Sequence, residues 1–205
     1  TGLQSETEYV LYILPMNAGE QGKVASASNS TIKEVIIDLY QAYLDGKVIE
    51  IAGVKYSKAT HGEAVLVTAA EPSSNTLRTP VNKKTGIFFL ETSAGADFTF
   101  TSNITFNKTA EGDDMVLIGR YLDREQVIKP ASFIKAVSGG LVLHNLVIDF
   151  STLPQNYLIV NNCTEDQSKL HIDACTFKNV KYHMYSVTST SYTKYIIKDI
   201  VVTDS

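Results

Sequence analysis

The sequence predicts an all-β chain wound as a parallel β-helix and entered through one short amphipathic helix. Three observations carry that reading. Helical periodicity is absent after residue 46, short apolar runs alternate with Gly, Asn, Ser and Asp, and a gapless internal repeat occupies the later part of the chain. With 205 residues, 44% hydrophobic and 20% charged, the chain can bury one sizeable core and does not have the composition of a disordered segment. A net charge of −4 gives no electrostatic reason to expect a nucleic-acid partner. No apolar run approaches the roughly 18 residues that a membrane span needs.

The opening Thr1-Gly2-Leu3-Gln4 is neither a signal peptide nor an initiator methionine, and reads as interior to a longer precursor. Residues 1–29 then predict a β-hairpin. Glu6 to Leu14 alternates with Tyr9, Leu11 and Ile13 on one face, Asn17 to Gly22 is a turn, and Lys23 to Ser28 returns. A leucine, a polar spacer and then Glu-Tyr with alternating apolar residues resembles the last hairpin of a fibronectin type III domain. A plain hairpin leading into residues 30–205 fits these residues too.

A helix is expected over about 31–45. Thr31 with Glu34 three residues on makes a capping box. Ile32, Val35, Ile36, Leu39, Tyr40, Tyr43 and Leu44 form one apolar stripe, and Gly46 supplies the stop. Such a helix must lie on something, and covering the open first coil of a solenoid is the expected use. From Lys47 onward the runs read as strands, among them Val48–Ile51, Ala64–Thr68, Gly86–Leu90, Met115–Ile118 and Met184–Thr188.

The repeat decides between a solenoid and a sandwich. Leu141-Val-Leu-His-Asn-Leu-Val-Ile148, Leu170-His-Ile-Asp-Ala-Cys-Thr-Phe177 and Tyr195-Ile-Ile-Lys-Asp-Ile-Val-Val202 superpose without gaps, starting 29 and then 25 residues apart. Each places apolar residues at positions 1, 3, 6 and 8, so the alternation slips by one at Asn145, Ala174 and Asp199. In a straight strand the slip would turn the second half outward. A sharp bend at that residue repairs it, and Asn and Asp tolerate such bends. Thr101-Ser-Asn103-Ile-Thr-Phe106 looks like a fourth copy. Phe100, Phe106, Phe177 and Tyr195 are expected in the core.

The stretch from Tyr40 to Ser57, with Ala52-Gly53-Val54-Lys55-Tyr56 as its turn, resembles the opening of pectate-lyase-like β-helices, apart from a missing proline. The later Leu-x-Leu-x-Asn-Leu-x-Ile coils are similar to uncharacterised pectate-lyase-like domains of gut Bacteroides, often found behind a fibronectin type III module. The resemblance covers roughly Thr31 to Ser205. It implies a right-handed solenoid, export to the cell surface or beyond, and glycan-related biology.

Chemistry is sparse. The densest charged stretch is Glu111-Gly-Asp-Asp114 with Arg120, Asp123, Arg124 and Glu125. Asp113 and Asp114 with Arg120 are the candidate catalytic set of a lyase or hydrolase acting on acidic glycans. Ca²⁺ would be the cofactor in that case only, and one acidic pair falls short of its usual oxygen ligands. A charged loop flanking a strand accounts for the same residues. Stacking the repeats puts His144, Asp173 and Lys198 on one outward row, with His171 between Val142 and Ile196. That row is a candidate carbohydrate-binding surface, or a solvated polar ladder. Cys163 and Cys175 lack metal-ligand spacing and read as small semi-buried thiols or one disulfide. No metal site, nucleophile elbow or phosphate loop occurs. The first expectation for function is a non-catalytic polysaccharide-binding module of an exported glycan-utilisation protein. A lyase or hydrolase and an adhesive stalk are the alternatives.

Overall fold

The computed structural model describes residues 8–13, 16–17, 20–21, 23, 25–30, 37–69, 77–92, 96–106, 114–137, 139–154, 158–161, 168–180, 185–187 and 193–203. It divides into two compact units, residues 1–36 and residues 37–205. The first contains the expected hairpin. Glu8–Ile13 pairs antiparallel with Ala25–Ser30, and Met16–Asn17 with Glu20–Gln21.

The second unit is a parallel β-solenoid built on three sheets. The first sheet has six strands, the second five and the third four, each stacked in order along the chain. After the entry strand Ala64–Ala69, coil 1 runs through Gly86–Thr92, Phe98–Phe100 and Ile104–Phe106. Coil 2 uses Met115–Gly119, Val127–Pro130 and Ile134–Ala136, and coil 3 uses Leu141–His144, Val147–Asp149 and Ile159–Asn161. Coil 4 uses Ser168–Asp173, Thr176–Lys178 and Tyr185–Val187; Thr193–Lys198 and Val201–Thr203 follow as part of a fifth. The strand Val127–Pro130 is one that the sequence pattern did not single out.

The register is the one the repeat predicts. Leu141 faces Leu170 and His144 faces Asp173; Leu170 in turn faces Tyr195 and Asp173 faces Lys198. The bends fall at the predicted residues, with φ of 53° at Asn145, 51° at Ala174 and 50° at Asp199. This left-handed backbone is cheap for Asn and Asp and costs more for Ala. Asn145 uses its side chain there, donating from Nδ2 to the carbonyls of Gly119 (3.0 Å) and Tyr121 (2.8 Å) in the coil before. Gly119 has to be glycine at this approach, because a Cβ would sit 1.9 Å from the Asn145 carbonyl oxygen. Thr101–Asn103 marks a different corner. It joins the second sheet to the third, since Phe98–Phe100 pairs with Ile128–Pro130 and Ile104–Phe106 with Ile134–Ala136. It is therefore not a fourth copy of the 145/174/199 bend.

Inside the coils, the ladders Phe88–Leu117–Leu143–Ile172 and Phe98–Ile128–Ile148–Phe177 converge with Ile104, Ile134 and Ile159 into one apolar core. Phe100 and Phe177 are fully buried, as expected; the side chains of Phe106 and Tyr195 lie outside the described set. The last repeat differs from its two predecessors. Ile197 and Val202 hold the inward register positions yet remain about half exposed (48% and 47%), because no further described strand stacks on them.

The cap helix needs correcting. The described helix is Leu39–Leu44, six residues long; Thr31 and Glu34 lie outside the described residues, and Ile37 and Asp38 are not helical. Asp38 is the N-cap, its extended backbone leaving the carboxylate free to accept from Gln41 N at 3.0 Å. The helix also sits elsewhere than on the open end. Tyr40 and Tyr43 pack against Phe89 with ring centroids 5.3 and 5.6 Å away, and Leu39 N donates to the Arg120 carbonyl at 2.8 Å. Phe89 alternates with the core residues Phe88 and Leu90, so it points out of the solenoid. The helix lies on the outer flank of coils 1 and 2.

Candidate functional site

The outer flank of the first sheet is a second buried layer. Ile87, Phe89, Val116, Ile118 and Val142 point out of the solenoid yet are buried. The hairpin Ile49–Ile51/Val54–Tyr56 follows the helix and turns through Ala52 and Gly53, both at positive φ (51° and 80°). At its tip Ala52 N donates to Asp173 Oδ2 at 3.1 Å, 121 residues away, anchoring the segment on coil 4.

This layer changes the surroundings of the expected polar row. His144, Asp173 and Lys198 stack as the repeat predicts. His144 (8% exposed), His171 (2%) and Asp173 (6%) are nevertheless buried, and only Lys198 reaches solvent, beside Asp199 at 3.5 Å. His144 Nδ1 lies 3.2 Å from Asp173 Oδ2, without hydrogen-bond alignment. Burial is the largest influence on that imidazole and holds its pKa below the ordinary value, against the pull of Asp173. Tyr56 belongs to the same layer; burial first, and the Asp114 carboxylate second, push its hydroxyl up to about 12. The row is thus placed where a polymer lying along the solenoid would not reach it. The signal that could have revealed this was in the strands themselves. Gly86-Ile-Phe-Phe-Leu90 and Met115-Val-Leu-Ile118 are apolar on both faces, the pattern of strands covered from two sides.

The proposed acidic and basic set does not converge. Asp113 lies outside the described residues. Asp114 precedes the strand Met115–Gly119 and Arg120 follows it, which at about 3.3 Å per residue puts them roughly 20 Å apart. Asp114 accepts from Gly140 N at 2.9 Å and pairs with Lys169. Arg120 is a clamp. It donates to both Asp38 oxygens (2.7–3.1 Å) and to Glu91 Oε2 (2.7 Å), and its guanidinium lies over Tyr121 at 4.7 Å. Burial alone would raise Asp38, but hydrogen bonds from Arg120 and from the Gln41 amide hold it below the usual carboxylate range. Arg120 thereby fastens the helix to coil 2. Among the described residues no group of three or more His, Cys, Asp or Glu could hold a metal ion. Cys175 is a free, buried thiol, pushed up to about 12 chiefly by burial, and Cys163 lies outside the described residues.

The other half of that charged stretch has a different fate. Leu122–Gln126 of coil 2, Asn145–Val147 of coil 3, and Ala174 with Thr176 of coil 4 line a groove of about 280 Å³ along the bend between the first and second sheets. Three coils, separated by two spacings of about 4.8 Å, give it a length near 10 Å. Its lining is mostly polar: Asp123, Arg124 and Glu125 are exposed at its rim with half-exposed Leu122, while Leu146 beneath them belongs to the solenoid core. Arg124 stacks on Tyr121, 3.6 Å from the ring centroid, and Glu125 pairs with Lys178 Nζ at 3.1 Å. Buried Gln126 steadies the loop, accepting from Thr92 N at 2.7 Å and donating to the Arg124 carbonyl at 3.3 Å. Sequence reading noted these charges but not the groove, because it forms only when three coils stack.

Fold and surface together define the class: a parallel β-helix domain with one flank covered by the segment 37–56 and an open groove along one bend. No protein-family model, no curated protein and no solved structure matches the chain. Among the described residues no helix is long and apolar enough to cross a membrane.

Proposed function

We propose that this domain is a polysaccharide-binding β-helix module of an exported glycan-utilisation protein, and that it holds its ligand in the groove along the 145/174 bend. The observation that carries this reading is the groove itself, with a hydrogen-bonding rim and the exposed Leu122 side chain on a corner shared by three coils. Ligand sites combine hydrogen-bonding and apolar contacts, and the volume, just below the roughly 300 Å³ at which their range begins, suits one or two sugar rings. The pectate-lyase-like pattern of the coils, the likeness to Bacteroides domains and the fibronectin type III-like hairpin support the same setting. A lyase or hydrolase is the less favoured alternative, since Asp114 and Arg120 are engaged in separate pairs at opposite ends of a strand.

The test is a screen of purified protein for retardation in glycan-containing gels, with reducing ends and unsaturated products followed in the same samples with and without Ca²⁺. Retardation without product, weakened at least fivefold in Asp123→Ala, is expected. Product formation would make the protein an enzyme, and no retardation by any polymer would remove the reading.

A further inference from the structure

The charges around this groove also bear on which glycans can enter it. Asp123 and Glu125 contribute two carboxylates to the lining and Arg124 the single cation. That cation is already committed: its Nη2 lies 3.5 Å from Glu91 Oε1, and its guanidinium rests on the Tyr121 ring. The next cation along the bend, Lys178, is held by Glu125 with both carboxylate oxygens at 3.1 Å. A polyuronate, with one negative charge per sugar, would meet excess like charge and no uncommitted cation among the lining residues. Such juxtaposition excludes wrong partners more effectively than it strengthens right ones.

An uncharged sugar meets a matching surface. Leu122, half exposed at the groove, offers an apolar contact for the C–H face of a pyranose ring. The Asp123 carboxylate on the rim accepts hydrogen bonds and cannot donate, so it fits ligands rich in hydroxyl donors, and charge-assisted bonds of this kind are the stronger ones; Glu125, paired with Lys178, has only its remaining lone pairs to add. We infer that the groove selects neutral glycans and rejects uronic-acid polymers. This inference rests on the binding reading above and narrows its ligand class.

The experiment uses the full chain in affinity gels and calorimetry. The neutral panel is mannan, xylan, β-glucan and galactan; polygalacturonate and hyaluronate are the acidic probes. Each is measured at 50 and 500 mM NaCl, with EDTA and again with Ca²⁺. At least one neutral polymer should bind with less than a twofold change across the salt range, since uncharged partners are not screened. The acidic polymers should stay at least tenfold weaker. The double variant Asp123→Lys/Glu125→Lys, whose positions are exposed, should gain salt-sensitive binding to polygalacturonate; circular dichroism checks that it is folded. Wild-type protein binding an acidic polymer as well as any neutral one overturns the selectivity while leaving the binding reading in place. Silence toward every polymer overturns both.

Discussion

The two faces of the first sheet carry the same alternation yet obey different rules. The inner row Phe88–Leu117–Leu143–Ile172–Ile197 is apolar from end to end. The outer row Phe89–Ile118–His144–Asp173–Lys198, shifted by one residue, changes from aromatic to aliphatic to ionisable along the solenoid. Inside, each coil is covered by the coils before and after it, so the requirement repeats. Outside, the cover is a single wrapping segment whose chemistry changes along its length. Tyr40 and Tyr43 lie over Phe89, whereas a bare backbone N–H at Ala52 meets Asp173. A residue on the outer row is chosen by its particular neighbour, and one on the inner row by the fold.

Substitutions can break this contrast. The largest effect is expected on the inside, where Phe177→Ala removes a fully buried ring. It should lower stability by about 3–5 kcal/mol in a urea titration, and a change near zero would falsify the assigned register of coil 4. On the outside the expected signature is pH dependence. Burial depresses His144 below its ordinary 6.5, so between the folded and unfolded values the unfolded chain binds more protons. Stability should therefore decline as pH falls through about 6.5 and level off below the folded value. Thermal unfolding of wild type and His144→Leu from pH 8 to 5 measures it. The variant should show a shallower decline, and parallel curves would mean that His144 does not stay neutral under the hairpin. The smallest effect is at the corner where the two rows meet. Ala174 holds a left-handed backbone without the side chain that Asn145 uses there. Ala174→Asn should raise stability by about 1 kcal/mol in the same titration; a loss would show that the corner is not strained at alanine.

The inner architecture was legible because it repeats. Three superposable segments named the strand register, the inward residues of coils 3 and 4, and three left-handed bends. The last inward set was legible in register but not in burial, since Ile197 and Val202 depend on what stacks next. One helix running unbroken over 31–45 was expected from the apolar stripe, but at Ile37 and Asp38 the chain is not helical, because Asp38 caps Leu39–Leu44 and bridges to Tyr121; Ile32, Val35 and Ile36 lie outside the described residues. The binding groove was illegible for a related reason. Its floor and rim come from residues 122–126, 145–147, 174 and 176, which no local pattern links. Arg120 was singled out as a catalytic candidate, and its pairing could not be read from the sequence because its partners Asp38 and Glu91 lie 82 and 29 residues upstream.

Those separations carry a consequence for how the domain is made. The wrapping segment leaves the ribosome before any coil it will cover, and its fastenings are Arg120, 82 residues after Asp38, and Asp173, 121 residues after Ala52. Until coils 2 and 4 exist it has nothing to close upon, and a helix of six residues is too short to persist alone in water. Contacts this distant in sequence add their loop-closure cost at the end of assembly. A segment made before the coils is therefore the part of this domain that sets last, leaving the outer rows of Ile118 and Val142 open to water, or to a chaperone, for as long as translation of the later coils takes.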